Sequence, residues 1–321
     1  MKNISYVILL WSIVLSPWAL AEKRGLEWQG PVDSSTTPYI SGTYRAILVG
    51  NNAYQDKDDI WRPLNTARTG AVTLAKILEN DYGFDDITLL TDASRREILI
   101  ALNRLSRRVE PNDNVLIFYA GHGYLDEETE RGYWIPIDAR GNDYTTFLRN
   151  STIRDEINVI ASRGKHTLVI ADSCFSGSLL RGNVRGPLFQ NGEDSYYKKV
   201  ANKRSVQVLA AGGNEFVDDN YRDSKHSPFT YFLINELKNS ATSLLSFSEL
   251  ATTVTKAVAN NVDQTPVSGV LQGAGDELGE FIFERTRVQA GESVANNILS
   301  EKSENASVAE QTITWPPVPR F

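Results

Sequence analysis

The sequence is short of the residues that carry most metal and redox chemistry. In 321 residues it has one cysteine, Cys174, and three histidines, His122, His166 and His226. A single cysteine excludes an intramolecular disulfide and any cysteine-rich metal site. An excess of positive charge is also lacking. The net charge is −7, which argues against nucleic acid as a partner. No Gly-rich phosphate fingerprint is present, which disfavours a nucleotide-binding doubly wound domain. No internal repeat is visible. What is present is 41% hydrophobic and 23% charged residues, an ordinary globular balance. The length is ample for one large domain or two small ones.

The first residues follow a different rule. Lys2 precedes an apolar run from Tyr6 to Leu15, about the length of a signal-peptide core and too short for a comfortable membrane span. Pro17 follows, and Ala19-Leu20-Ala21 has the small-x-small form of a cleavage site. Residues 1–21 are therefore expected to be a signal peptide, removed after Ala21. Export is expected, in a bacterium to the periplasm or beyond the cell. The alternative is an uncleaved segment, which would make the membrane a partner through that segment alone. The run holds no cysteine, which excludes a lipoprotein. Residues 22–42 are polar and rich in Gly, Pro, Ser and Thr, a leader into the domain.

From residue 43 onward apolar strands alternate with helical patterns. Arg45–Gly50, Ile87–Thr91, Val115–Ala120, Thr167–Ala171 and Val206–Ala211 are short, β-branched and apolar, as buried parallel strands are. Between them, Ala71, Leu74, Ala75 and Leu78 recur at helical spacing, as do Ile98, Ala101, Leu102 and Leu105, and Ile153, Ile157 and Ile160. Ser94-x-x-Glu97 and Ser246-x-x-Glu249 are capping boxes, and Gly164 is a helix stop. Tyr133–Ile137 is expected to be a short extra strand and Phe281–Phe283 a last one. The pattern implies an α/β fold, a mostly parallel central sheet with helices on both faces. Residues 181–204 lack periodicity and carry six Lys/Arg among Gly, Asn, Pro and Asp, and are expected to form an exposed loop. Residues 285–321 are polar and aperiodic, a mostly disordered tail.

Two of the scarce residues sit where chemistry is usually found. The strand at Thr167 runs into Asp172-Ser173-Cys174-Phe175-Ser176-Gly177, and the strand at Val115 runs into Gly121-His122-Gly123. In open α/β sheets the C-terminal ends of neighbouring strands form one crevice, where ligands bind. A lone cysteine and a Gly-flanked histidine at two such ends suit a thiol nucleophile and its base. His166 lies before a strand and is expected to be structural or exposed. His226 precedes Ser227-Pro228, a capped helix start, and is expected at the surface.

These motifs resemble, in order, those of caspase-like peptidases, and most of all their metacaspase-type bacterial members. The residues that carry the resemblance are Gly50–Tyr54, Tyr82-Gly83-Phe84, Thr91-Asp92-Ala93, Tyr119–Gly123 and Asp172–Gly177. Val208–Asn214, His226–Thr230, Gln264-Thr265-Pro266 and Gly279-Glu280-Phe281 continue it. The resemblance covers 43–284 and implies a caspase-like three-layer sandwich. It further implies a large-subunit part at 43–180, a linker at 181–204 and a small-subunit part at 205–284.

The resemblance implies a cysteine endopeptidase acting on proteins or peptides, with Cys174 as nucleophile, His122 as base, and the N–H groups of Gly123 and Cys174 as the oxyanion hole. It places Asp172, with Ala210 and Ala211, in the substrate pocket, where Asp172 would pair with an Arg or Lys before the scissile bond. The other reading of Asp172 is a turn cap. Members of the family usually carry a second pocket carboxylate in a stretch that here reads Arg68-Thr69-Gly70-Ala71, so one is missing and an Arg stands near. A catalytically silent module that binds a partner is the competing function, and intact Cys174 and His122 argue against it. Calcium dependence occurs among metacaspase-like proteins, but Asp126-Glu127-Glu128 and Asp218-Asp219 lack a complete calcium-loop spacing and are expected to be solvated loops. The expectation is therefore no cofactor and no metal.

Overall fold

The apolar runs form strands because their side chains are buried on both faces. In the computed structural model, which describes residues 40–55, 60–174, 177, 180, 194–212, 218–271 and 273–286, they build one central sheet. The expected signal peptide, the leader up to residue 39, the linker from 181 to 193 and the tail beyond 286 lie outside the described residues.

In chain order the elements are β1 (Tyr44–Gly50), α1 (Ala67–Tyr82), β2 (Phe84–Thr91), α2 (Arg95–Arg108) and β3 (Asn114–Ala120). A small hairpin follows, β4 (Gly123–Asp126) and β5 (Arg131–Trp134), extended by β6 (Leu148–Arg149). Then come α3 (Asn150–Arg163), β7 (His166–Asp172), α4 (Asp194–Ala201), β8 (Ser205–Ala210) and α5 (Pro228–Asn239). The chain closes with β9 (Leu244–Ser246), α6 (Phe247–Ala259), β10 (Val267–Val270) and β11 (Ile282–Glu284). The central sheet runs β10-β8-β7-β3-β1-β2, parallel except for β10 at its edge.

Strand alternation divides the core into two layers. Leu48, Phe118, Ile170 and Leu209 face Leu74 and Leu78 of α1, Phe229 and Leu233 of α5 and Leu250 of α6. Val49, Ile117, Val169 and Val208 face Leu102 and Leu105 of α2 and Ile153 and Ile157 of α3. This is the three-layer α/β sandwich expected from the pattern. Both capping boxes form as their spacing implies, at Ser94–Glu97 and Ser246–Glu249.

Three expectations need correction. The linker is not all loop: residues 194–201 form α4, with Tyr197 buried and its hydroxyl donating to Glu249 Oε2 at 2.8 Å. The helical spacing of Tyr196, Tyr197, Val200 and Ala201, which pack on the core, was masked by the turn-forming residues before it. The last strand is Ile282–Glu284 and pairs with β9 in a separate two-stranded sheet. Gly164 ends α3 as expected, with φ −78°, and a side chain there would press on Val109 and the Asp113 carbonyl. His226 is half-buried rather than at the surface. His166 is structural: its ring bridges Ser205 Oγ at 2.8 Å and the Ala201 carbonyl at 3.0 Å.

The turn out of β1 has no room for a side chain. A Cβ on Gly50 would stand 2.6 Å from the Ala67 carbonyl and 2.8 Å from Arg68 Cα, both backbone atoms of the first turn of α1. Gly50→Ala should therefore lower stability by about 1–3 kcal/mol, as overpacking does. The check is a lower urea midpoint at unchanged slope; an unchanged midpoint would refute the close packing of this turn.

Candidate active site

The site starts from strand register. β1, β3 and β7 are parallel neighbours, with Gly50 opposite Ala120 and Ala120 opposite Asp172, so all three end at one level. The residues that follow each strand therefore share one crevice. Asn51, fully buried after β1, ties these ends together. Its N–H donates to the Ala120 carbonyl, and its side chain both accepts from and donates to Ala93.

His122 leaves β3 into a prepared socket. Its backbone N–H donates to Tyr54 Oη at 2.9 Å, and its carbonyl accepts from Tyr119 Oη at 2.8 Å. The Tyr54 hydroxyl donates to the Ile135 carbonyl, and the single Tyr119 proton is shared between that carbonyl and the His122 carbonyl. The ring packs against Tyr54 and Trp61, at centroid distances of 4.7 and 5.7 Å. Nε2 lies 2.7 Å from the Arg62 carbonyl. A carbonyl only accepts, so in the neutral ring Nε2 carries the proton and Nδ1 is the acceptor. Burial pulls the imidazole below its usual pKa, against the opposing influence of the Arg62 carbonyl and the Asp219 charge.

Gly123 meets the cysteine turn backbone to backbone. A Cβ at 123 would stand 2.1 Å from the Cys174 carbonyl oxygen and 3.2 Å from Ser173 Oγ. Only glycine allows this approach. In the β4–β5 ladder, Ile135 N–H bonds to the His122 carbonyl. Antiparallel pairs alternate, so Gly123 and Trp134 form a non-hydrogen-bonded pair and the Gly123 N–H points out of the ladder. Cys174 itself is half-buried.

His122, Gly123 and Cys174 line a single cavity of about 280 Å³ with Asp172, Ala67, Ala120, Ser227 and Asp219 among its other walls. That size suits one side chain better than a cofactor. Asp172 is buried and neither caps its own turn nor stands alone. Its Oδ2 accepts from the hydroxyls of Ser227, the N-cap of α5, and of Thr230, each at 2.5 Å. Its Oδ1 is buried without a partner. Desolvation pushes its pKa from 3.8 up to about 6; the two hydroxyls oppose this and the Asp219 charge adds to it.

The remaining sequence candidates lie elsewhere. Ala210 and Ala211 are fully buried at the end of β8 and are not among the cavity's lining residues. Arg68 is exposed, outside the lining, and ion-paired with Asp92. The acidic pair Asp218-Asp219, expected in a solvated loop, lines the cavity instead. Nothing local in its sequence signals this, because the segment reaches the site only through the packing of α5. Asp126 folds back on the N–H groups of Glu128 and Thr129 and on the Thr129 hydroxyl. Among the described residues no cluster of three or more His, Cys, Asp or Glu could hold a metal ion.

The raised pKa of Asp172 has a consequence for stability. The folded state holds this proton more tightly than the unfolded chain does, so stability falls as pH rises from about 4 to about 6 and the full cost is present above that. At about 1.4 kcal/mol per decade, the cost of the charged form is on the order of 3 kcal/mol. Asp172→Asn should therefore raise the melting temperature at pH 7.5, and the gain should shrink toward pH 4. A variant less stable than wild type at pH 7.5 would refute this origin.

Comparison with known proteins supports the fold. Residues 43–272 match the family model described as Caspase domain. The chain is 29% identical over 161 residues to Metacaspase-1A of Aspergillus fumigatus, covering 44% of this chain and 36% of that one. It is 27% identical over 190 residues to Metacaspase-1 of Cryptococcus neoformans, covering 52% and 40%. It thus spans well under half the length of the metacaspases it matches. The structure of caspase-1 from Spodoptera frugiperda superposes with a TM-score of 0.52 at 15% identity, covering 76% of this chain and 95% of that one, which supports the fold. The chain belongs to the caspase-domain family and is similar to metacaspases over part of its length.

Proposed function

We propose that this protein is a cysteine endopeptidase in which Cys174 is the nucleophile, His122 the acid and base, and the N–H groups of Gly123 and Cys174 the oxyanion hole. The observation that carries this reading is the anchoring of His122 Nε2 on the Arg62 carbonyl, at the rim of the cavity that Cys174 also lines. It fixes the tautomer that leaves Nδ1 able to take a proton. The thiol proton passes to Nδ1 as sulfur bonds to the scissile carbonyl carbon, and the carbonyl π pair moves onto oxygen. As the tetrahedral centre collapses, the C–N bond breaks and the Nδ1 proton goes to the leaving amine. Water then attacks the thioester with the same histidine as base, releasing the acid and the thiol. The Gly123 N–H, turned out of its ladder, is free of strand pairing to face the developing oxyanion; loss of such a donor costs about 3 kcal/mol of barrier.

The proposed substrates are proteins or peptides with Arg or Lys before the scissile bond. The buried Asp172, with one oxygen unpartnered at the cavity wall, supports that preference. A fork of guanidinium donors satisfies such a carboxylate well.

Cys174→Ala and His122→Ala should each lower kcat/KM by at least about a thousandfold while the protein stays folded, as loss of either member of a coupled pair does. Full activity in folded Cys174→Ala would overturn the mechanism. His122 must be neutral to accept the thiol proton, and Asp172 ionised to pair with a base. Burial lowers the first pKa below 6.5 and raises the second to about 6. Activity on Arg substrates should hold at pH 7.5 and fall below pH 6.5; an acid limb centred above 6.5 would count against both assignments.

Export is proposed on the Tyr6–Leu15 run and the Ala19–Ala21 site. Self-cleavage is proposed at Arg181 or Arg185; the other basic linker residues, Lys198 and Lys199 in α4 and Lys203 and Arg204 just after it, adjoin regular structure. Intact mass of the expressed protein should show a start at Glu22 and, with active enzyme only, two fragments cut before residue 194. An intact, fully active chain would remove the self-processing proposal, and a retained Met1 would remove signal cleavage.

A further inference from the structure

The cavity has one feature that the proposed chemistry does not use. Asp172 Oδ1 is buried, faces no donor and belongs to a residue only 7% exposed. A second carboxylate, Asp219, lines the same cavity from a different segment. Two acidic groups around an unsatisfied buried oxygen call for a cation between them. Position 70 cannot supply the second charge. Gly70 has no side chain, and an added Cβ would stand 2.9 Å from Thr230 Cγ2, whose own hydroxyl is committed to Asp172.

Asp219 is held firmly in place. Its Oδ2 accepts from Asn65 N–H at 2.7 Å and Asn65 Nδ2 at 2.9 Å. Its Oδ1 accepts from Thr66 N–H at 3.2 Å and Thr66 Oγ1 at 2.9 Å. Thr66 is the N-cap of α1 and makes no side-chain cap of its own; Asp219 braces the two residues that lead into the helix from a distant part of the chain, while Asn52 Oδ1 accepts from the first-turn N–H of Arg68. A carboxylate pinned by four donors loses little freedom when a ligand arrives. Its charge reaches both partners of the proposed reaction, disfavouring the ionised form of Asp172 and favouring the protonated form of His122.

We propose that Asp219 is a second specificity-determining carboxylate, which with Asp172 receives the cationic side chain preceding the scissile bond. The inference rests on the cysteine-endopeptidase reading above and adds the residue that supplies the second charge. The neighbouring Asp218 is exposed and solvent-screened, so its share is smaller. A bound cation would relieve the mutual repulsion of the two carboxylates and satisfy Asp172 Oδ1.

The test uses the full-length protein and a matched pair of fluorogenic peptides ending in Arg or in citrulline, which has nearly the same shape and no charge. Asp219→Asn keeps an oxygen acceptor for Thr66 and removes the charge, but it also turns an amide NH2 toward the two Asn65 donors, so the fold of the variant is checked first. The variant should cut the Arg-over-citrulline ratio of kcat/KM by roughly tenfold, mostly in KM, a plausible size for one partly buried charge pair. The acid limb set by His122 should also move to lower pH, because a group favouring the imidazolium is gone. If the Asn variant does not fold, Asp219→Glu and Asp219→Gln form a second pair that differs in charge alone, and the Glu form should hold the higher ratio. An unchanged ratio in the folded Asn variant, or equal ratios in the Glu and Gln forms, would reduce Asp219 to a brace for the turn before α1. A wild type that shows no preference for Arg would instead overturn the basic-residue reading itself.

Discussion

The contact on which this site depends is the approach of two backbones, Gly123 against the carbonyl of Cys174. It exists because β3 and β7 are parallel neighbours whose last residues, Ala120 and Asp172, are in register. The chain then needs three further residues after β3, to Gly123, and two after β7, to Cys174, to reach the point where the two backbones touch. Any side chain at 123 would drive the turns apart. The socket of Tyr54 and Tyr119 hydroxyls serves the same end, since it holds the backbone of His122 on both sides and leaves the ring to be set by Arg62.

Burial does two opposite things to the charged groups here, and both suit the proposed chemistry. It takes charge away from His122, leaving a base ready at neutral pH. It also makes ionised Asp172 costly, and the protein keeps that residue all the same, half satisfied by Ser227 and Thr230. A carboxylate kept at a cost to stability beside a cavity is a common mark of a binding position. A ligand cation would recover part of that cost, so binding strength and apo stability are set against each other in one residue.

The arrangement also separates the charges of the neighbourhood. Arg68 lies close in sequence to the cavity-lining Ala67, yet it turns outward to Asp92, whose other oxygen accepts from the N–H groups of Asn52 and Ala53. Arg68 is thereby used to brace the turn after β1 rather than to neutralise the cavity. The acidic wall is left to Asp172, from strand β7, and to Asp218 and Asp219, from the segment before α5.

Much of this was determined locally and so was legible in the sequence. Apolar β-branched runs can be buried only as strands of a covered sheet, and Ser-x-x-Glu satisfies helix-end N–H groups within its own turn, so these elements follow from short stretches alone. The placement of His122 and Cys174 at strand ends was legible for the same reason. Tertiary structure decided what depends on partners far along the chain. Tyr196 and Tyr197 became a helix face because the core beside α6 offered them burial, against turn-forming residues upstream. Ala210 and Ala211 sank beneath the sheet end rather than lining the cavity. Asp219 acquired its place only when α5 packed on α1 and set it above Thr66, a distance of about 150 residues in sequence. A charge takes its meaning from what surrounds it in space, and no local pattern records that.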